Sequence, residues 1–181
     1  EWRDHECFLH EGDTFSAACA EPGSPTVLLW GDSHAAALVP GLTELRRQTG
    51  AGVGQFTVSA CGPLIDEEGP EAEGRCGELN REILQIVGRD KPDAVLLHAD
   101  WTRGTAGYNL THLGATVRRI RERGAGSVIL IGPAPQWKRA LPRVLWHCYG
   151  RGAIPEFSTC ELNPSIPAID LKAEEAARSL G

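Results

Sequence analysis

The fold is decided by the stretch Thr26-Val-Leu-Leu-Trp-Gly-Asp-Ser-His34, which joins a short apolar run to a polar turn. An uninterrupted apolar run of this length is typical of a strand that is buried on both faces of a parallel sheet. The next segment, Ala35 to Gln48, has helical periodicity, and Pro40-Gly41 predicts a kink inside it. The stretch therefore predicts a strand, a tight turn at Gly31 and a helix.

The alternation of strands and helices continues along the chain. The pattern predicts strands over 55–59, 92–98 and 126–131, helices over 76–88, 109–123 and 167–180, and a loop-rich segment over 139–165. Strands that alternate with helices of this length indicate βαβ units and a parallel sheet. The predicted fold class is α/β. We expect residues 26–181 to form the α/β domain and residues 1–25 to be an irregular lead-in that a disulfide holds in place.

The composition excludes several classes of protein. The chain has 181 residues and a formal net charge of -6, and no basic stripe stands out, which argues against a nucleic-acid partner. No apolar run approaches the roughly 18 residues of a transmembrane helix. There is no methionine, so we expect a processed protein or a piece of a longer one. We expect the piece itself to be a monomeric domain.

The cysteine pattern indicates the compartment. The six cysteines fall into three sequence-local couples: Cys7 with Cys19, Cys61 with Cys76, and Cys148 with Cys160. Six cysteines allow many pairings, so the sequence alone leaves the connectivity open. Disulfides between nearest neighbours are favoured over a metal site or free thiols, because no C-x-x-C spacing is present. An oxidising compartment outside the cytoplasm is therefore expected.

Polar or glycine-rich segments follow each of the four predicted strands. They are Gly31–His34, Ser59–Pro63, His98–Trp101 and Gly132–Pro135. In open α/β sheets, the active site lies at the carboxyl ends of the strands. At such a junction, Ser33 is a candidate nucleophile, because the first helical N–H groups have no intrahelical acceptor and can stabilise an oxyanion. The alternative is that Ser33 or Asp32 only caps the helix.

Four segments of the chain form a recognisable series. They are Leu28–Leu42, which contains Gly-Asp-Ser-His, and then Ser59–Leu64, Val95–Trp101 and Ile131–Pro142. In this order they resemble the SGNH (GDSL-like) hydrolase superfamily and, more narrowly, the SGNH domains fused to acyltransferase-3 membrane domains in bacterial O-acyltransferases of surface polysaccharides. The resemblance covers roughly residues 5–180. It implies a three-layer α/β/α, flavodoxin-like fold with a central parallel sheet.

The resemblance also implies roles for individual residues. Ser33 is expected to accept the acyl group as nucleophile, with its own N–H in the oxyanion hole. Asp32 accompanies it in the motif, and His34 is expected to line the pocket, since consecutive helical residues do not face each other. Gly62 is the position that matches the second oxyanion donor.

The chain departs from the superfamily pattern in two places. Where the superfamily has an asparagine donor, this chain has His98-Ala-Asp-Trp101. An ionised aspartate cannot donate a hydrogen bond, so Asp100 and Trp101 are expected to shape the pocket instead. His98 is either a site residue or a core histidine with a satisfied hydrogen bond.

The second departure concerns the base. The superfamily supplies aspartate and histidine from a D-x-x-H motif near the C-terminus, and no such motif is present. We therefore expect the chain to stop before the C-terminal element that carries the motif, which leaves the triad incomplete.

Three functions follow from these observations. The first is a periplasmic domain, tethered to the inner membrane, that transfers an acyl group, expected to be acetyl, through Ser33 to a polysaccharide hydroxyl, with the acyl donor supplied by a fused membrane acyltransferase domain. The second is a secreted carbohydrate esterase, in which water is the acceptor. The third is a non-catalytic glycan-binding pseudo-enzyme. No cofactor or metal is implied, because no ligand-spaced cluster of His, Asp and Glu is evident in the sequence.

Overall fold

A sheet of five parallel strands forms the centre of the computed structural model, which describes residues 2–65, 74–102, 108, 110–149, 162–163 and 165–178. The strands are β1 (Phe8–Leu9), β2 (Thr26–Gly31), β3 (Gly52–Val58), β4 (Ala94–His98) and β5 (Ser127–Leu130). Their order across the sheet is β1-β3-β2-β4-β5. All the pairings within it are parallel, so the expected α/β class and parallel sheet are confirmed.

Helices cover both faces of this sheet. They are α1 (Ser33–Ala36), α2 (Val39–Thr49), α3 (Gly74–Asp90), α4 (Leu113–Glu122), α5 (Leu141–Tyr149) and α6 (Ser165–Arg178). Leu29 packs with α1 and α2 on one face, whereas Leu28 and Trp30 pack with α3 and α4 on the other. Successive side chains of a strand alternate between its faces, so one apolar run serves both layers.

The central strands carry the core. Leu29 and Leu97 are fully buried, and Trp30 is 1% exposed. Burying a large apolar side chain contributes about 2 kcal/mol, and these residues belong to strands that have a neighbouring strand on each side. The continuous apolar run of β2 is thus explained by its position between β3 and β4. None of the helices in the described ranges combines the length and the hydropathy that crossing a membrane would require.

The N-terminal segment contributes a strand. Phe8 and Leu9 form β1 and pair in parallel with Thr57 and Val58 of β3. We expected irregular structure before residue 26, because two residues are too short to show a periodic pattern. The strand forms because its partner β3 presents an otherwise unpaired edge.

Two further elements differ from the predictions. The helix predicted over 35–48 is divided into α1 and α2, and Pro40 lies in the first turn of α2. A proline there removes no intrahelical hydrogen bond, so it begins a helix instead of kinking one. The segment 139–165, predicted to be loop-rich, contains the helix α5. Proline at position 142, in the first turn of α5, obscured that helix in the sequence for the same reason.

Two of the expected disulfides are present. Cys7 is bonded to Cys19 and Cys61 to Cys76. The partners are 12 and 15 positions apart in the sequence, and closing such a loop stabilises the fold by about 3 kcal/mol in the chain-entropy model. The third expected pair, Cys148 with Cys160, cannot be followed, because Cys160 lies outside the described residues.

A buried asparagine joins α3 to the segment that follows β3. Asn80 is 2% exposed, and its Oδ1 accepts a hydrogen bond from Trp30 Nε1 at 2.9 Å. Its Nδ2 donates to the carbonyl oxygens of Gly62 and Leu64, each at 2.9 Å. Asn80 therefore satisfies a donor in the core and sets the position of the Gly62 segment.

Replacing Asn80 with Leu tests this role. The substitution keeps the branched shape of the side chain with a somewhat larger volume. It leaves Trp30 Nε1 without its acceptor and removes the Nδ2 donor from the Leu64 and Gly62 oxygens, of which the Gly62 oxygen keeps the backbone N–H of Leu64. We expect a loss of about 3 kcal/mol in the free energy of unfolding, measured by urea denaturation. As a matched control, Glu82→Gln on the exposed side of α3 should change stability by less than about 0.5 kcal/mol. Equal stability of the two variants would contradict the assignment.

Candidate functional site

The carboxyl ends of the central strands lie side by side. β2 ends at Gly31, which pairs with His98 at the end of β4. A Cβ on Gly31 would lie 1.7 Å from the His98 carbonyl oxygen and 2.8 Å from the Ala35 Cβ. Such distances are impossible for real atoms, so glycine is required here by the close approach of β4 and α1.

Ser33 is the first residue of α1 and is partly exposed. Within the described part of the chain, neither its hydroxyl nor its backbone N–H has a hydrogen-bond partner. The hydroxyl is thus available to an external group, and the N–H is one of the donors that a helix start leaves without an intrahelical acceptor. Because α1 has a single turn, a helix macrodipole contributes little. The backbone N–H of Ser33 is instead the local donor that this turn offers to a negative charge.

Asp32 connects three parts of the site. Its side chain is buried, and Oδ1 accepts the backbone N–H of His34 at 2.8 Å. Oδ2 accepts the backbone N–H of Asp100 at 2.9 Å and the hydroxyl of Tyr108 at 3.1 Å. Asp32 is therefore the N-cap of α1, which was the alternative reading of this residue. Ser33 is not the cap, and its hydroxyl stays available.

Asp100 and His34 contribute a carboxylate and an imidazole to the same part of the site. His34 Nε2 lies 3.8 Å from Asp100 Oδ2. Partial burial raises the pKa of Asp100. Hydrogen bonds from Thr102 and Gln136, together with the nearby His34, outweigh this effect and hold the pKa below its ordinary value of 3.8. Asp100 is therefore a carboxylate at neutral pH and a partner for His34.

His98 and Trp101 are anchored to the same carbonyl group. His98 Nδ1 donates to the Ile131 oxygen at 3.2 Å, and Trp101 Nε1 donates to it at 2.8 Å. Both side chains are buried. Burial lowers the pKa of His98, and the hydrogen bond to Ile131 opposes this shift only in part. His98 is thus a neutral histidine with a satisfied Nδ1, as the core-histidine alternative predicted, and its ring centroid is 6.2 Å from that of His34.

Gly62 lies against the ring of Tyr108. A Cβ on Gly62 would be 2.7 Å from two ring carbons of that tyrosine. The hydroxyl of the same tyrosine donates to Asp32. One aromatic side chain therefore spans the distance between the end of β3 and the cap of α1. Any larger residue at position 62 would displace it.

Comparisons with known proteins identify the family of the chain. The family model described as "SGNH domain (fused to AT3 domains)" matches residues 4–179. This chain belongs to that SGNH family. No curated protein matches the chain.

Two solved structures resemble the SGNH domain. One is the periplasmic domain of a lipopolysaccharide acetyltransferase from Salmonella ser. Paratyphi A, which is 26% identical and superimposes with a TM-score of 0.74. The match covers 91% of this chain but 66% of that chain, so the present sequence spans just under two thirds of it. The other is the crystal structure of TesA, with 16% identity, a TM-score of 0.43, and coverage of 86% of this chain and 99% of that chain.

The sequence did not point to three residues that hold the candidate site together. Tyr108 donates to Asp32, and Thr102 and Gln136 both donate to Asp100 Oδ1. Tyr108 is one of two tyrosines in the chain, which is a weak signal. Gln136 lies in a segment already quoted for the family resemblance, and there it was the one amide side chain. Neither signal specifies the partner.

The tertiary structure also brings Asp170 close to the end of β5. This residue lies in α6, and its Oδ1 is 2.6 Å from the position that a Cβ would take on Gly132, just after β5. Asp170 itself is exposed. An aspartate of the last described helix thus lies at the carboxyl ends of the strands, as Ser33 does.

The pKa of Asp100 leads to a test on the SGNH domain. Because the folded-state pKa is lowered, the Asp100 carboxylate contributes stability that is fully present above about pH 4. That contribution is lost as the pH falls through the folded-state pKa. The difference in free energy of unfolding between the wild type and Asp100→Asn should therefore stay constant above about pH 4 and shrink as the pH falls below that value. Parallel curves for the two proteins would contradict the assignment.

Proposed function

We propose that this SGNH domain transfers an acyl group, through Ser33, to a hydroxyl group of a cell-surface polysaccharide. The observation that carries the proposal is the state of Ser33. Its hydroxyl and its backbone N–H are both without partners in the described part of the chain, at the end of a buried strand. Family membership and the lipopolysaccharide acetyltransferase neighbour support acyl transfer as the class of reaction.

The proposed reaction has two steps. Ser33 Oγ bonds to the acyl carbon of the donor, and the donor's leaving group departs with the electron pair of the broken bond. A sugar hydroxyl then attacks the acyl-serine, which restores the Ser33 hydroxyl. In both steps the negative charge that develops on the acyl oxygen is stabilised by the N–H of Ser33, with Gly62 as the second donor.

Asp32 acts in this proposal as a positioning residue. Its carboxylate oxygens are occupied by His34, Asp100 and Tyr108, so it is not the base that takes the Ser33 proton. His34 follows Ser33 in sequence and is held beside Asp100, and in the proposal it lines the pocket together with Asp100 and Trp101. The Ser33 proton passes through a general base to the donor's leaving group, and the proton of the sugar hydroxyl returns by the same route to Ser33 Oγ.

The proposed setting is the periplasm. Two disulfides require an oxidising compartment to persist, and the solved neighbour is a periplasmic domain. The family description, with its fused AT3 domains, supports an acyl donor that is delivered from a membrane acyltransferase domain of the same protein. That domain would tether the SGNH domain to the inner membrane.

The test replaces Ser33 with Ala in the gene that encodes the chain. Acylation of the surface polysaccharide, measured by NMR of the purified glycan, should fall roughly thousandfold or more, because a nucleophile has no substitute. The control is Ser127→Ala. Ser127 is exposed and begins β5, so it lies at the amino ends of the strands, whereas Ser33 lies at their carboxyl ends. The control substitution should leave acylation unchanged. Full acylation in the Ser33→Ala strain would overturn the proposal and would favour a glycan-binding role without catalysis.

A second measurement separates transfer from hydrolysis. The whole protein is incubated with an aryl acetate, with and without the deacylated glycan. Transfer predicts that the acyl group appears on the sugar and that release to water stays slow. Rapid release to water, insensitive to the glycan, would instead identify a carbohydrate esterase.

A further inference from the structure

A group of potential metal ligands lies around β1, away from Ser33. Asp4 and His5 precede this strand and His10 follows it. The strand β3 separates β1 from β2, which carries the serine. Among the described residues, these three form the one group of His, Cys, Asp or Glu side chains whose ligand atoms all lie within 4.8 Å of one another. The proposed acyl transfer uses none of them.

The ligand atoms already converge. His10 Nε2 is 2.7 Å from Asp4 Oδ1, and His5 Nε2 is 3.8 Å from Asp4 Oδ2. The two imidazole rings lie face to face at a tilt, with their centroids 4.7 Å apart. Ligands of a tetrahedral zinc ion are about 3.3 Å apart, given bonds of about 2.0 Å. Exposed side chains can close the remaining gap by small rotations.

A fourth residue orients the imidazoles. Asp13 Oδ2 accepts a hydrogen bond from His5 Nδ1 at 3.0 Å and from the backbone N–H of His10 at 2.8 Å. With Nδ1 protonated towards a carboxylate, the neutral His5 ring has its lone pair on Nε2, the atom that faces Asp4. Metal-binding histidines use this carboxylate–imidazole arrangement to set tautomer and direction. Asp13 is therefore placed outside the ligand set and acts on it.

The backbone of this region is held in place. The Arg3 carbonyl accepts the N–H groups of Glu6, Cys7 and Phe8, which closes a tight turn around His5. Cys7 is then bonded to Cys19, and β1 is paired with β3. A site on such a restrained loop loses little conformational entropy when an ion binds.

We infer that Asp4, His5 and His10 bind a zinc ion through one carboxylate oxygen and two Nε2 atoms, with a solvent molecule in the fourth position. The ion takes the place of the proton that His10 Nε2 shares with Asp4, and that proton moves through the solvent to His10 Nδ1, so the ring binds as a neutral imidazole. Two nitrogen ligands and one oxygen ligand match the preferences of Zn²⁺. The negative charges of Asp4 and Asp13 balance the charge of the ion. The site pins the turn before β1 to the segment after it.

The experiment uses the 181-residue chain with its disulfides formed and without a polyhistidine tag. Zn²⁺ binding is measured by titration calorimetry, and Co²⁺ is added as an optical probe whose visible absorption reports a tetrahedral nitrogen–oxygen site. We expect one ion per chain and a melting temperature that rises with Zn²⁺ concentration. His10→Gln should remove this binding. Asp13→Asn should retain one site but weaken it by about tenfold or more.

The matched control is Glu11→Gln. Glu11 is exposed and adjacent to His10, and the substitution removes a charge without removing a ligand. Its affinity for Zn²⁺ should be within about twofold of the wild type. The inference is overturned if the wild type binds no ion, or if His10→Gln binds as tightly as Glu11→Gln. Because the readout is metal binding, either outcome leaves the role of Ser33 unaffected.

Discussion

The site depends on the hydrogen bonds that the buried carboxylate of Asp32 accepts. Burying a carboxylate is costly unless hydrogen bonds replace its water, and here three donors do so, from His34, Asp100 and Tyr108. Two of them belong to parts of the chain far from Asp32 in sequence. The start of α1 is therefore fixed relative to β4 and to Tyr108. Ser33, the next residue, inherits that position.

The space around Asp32 is as restricted as its hydrogen bonds. Gly31 allows β4 to approach so closely that no side chain would fit, and Gly62 allows the ring of Tyr108 to do the same. A polar centre is thus enclosed by backbone atoms and one aromatic ring. Such an arrangement holds the backbone of Ser33 in one position while its hydroxyl stays accessible, which is the geometry that the proposed nucleophile requires.

Much of the fold could be predicted because its signals are local. The apolar run of β2 and the helical periodicity of α3 and α4 are visible over a few residues, and the cysteine couples Cys7–Cys19 and Cys61–Cys76 lie close in sequence. β1 could not be predicted, since two residues acquire their strand conformation from pairing with β3. Among the candidate site residues, the position of Ser33 after a strand could be predicted, because the end of β2 is a local signal. The buried role of His98 depended on a carbonyl 33 residues away.

By itself, the sequence determined where the strands end and which residues lie there, because apolar runs and turns are formed by residues that are consecutive in the chain. It placed Asp32 and Ser33 at the end of β2 in this way. Only the tertiary structure decided that Asp32 caps the helix and collects donors 68 and 76 residues away, and that the Ser33 hydroxyl has no such partner in the described part of the chain. The reason is physical: hydrogen bonds depend on distances in space, which a linear pattern of residues does not contain.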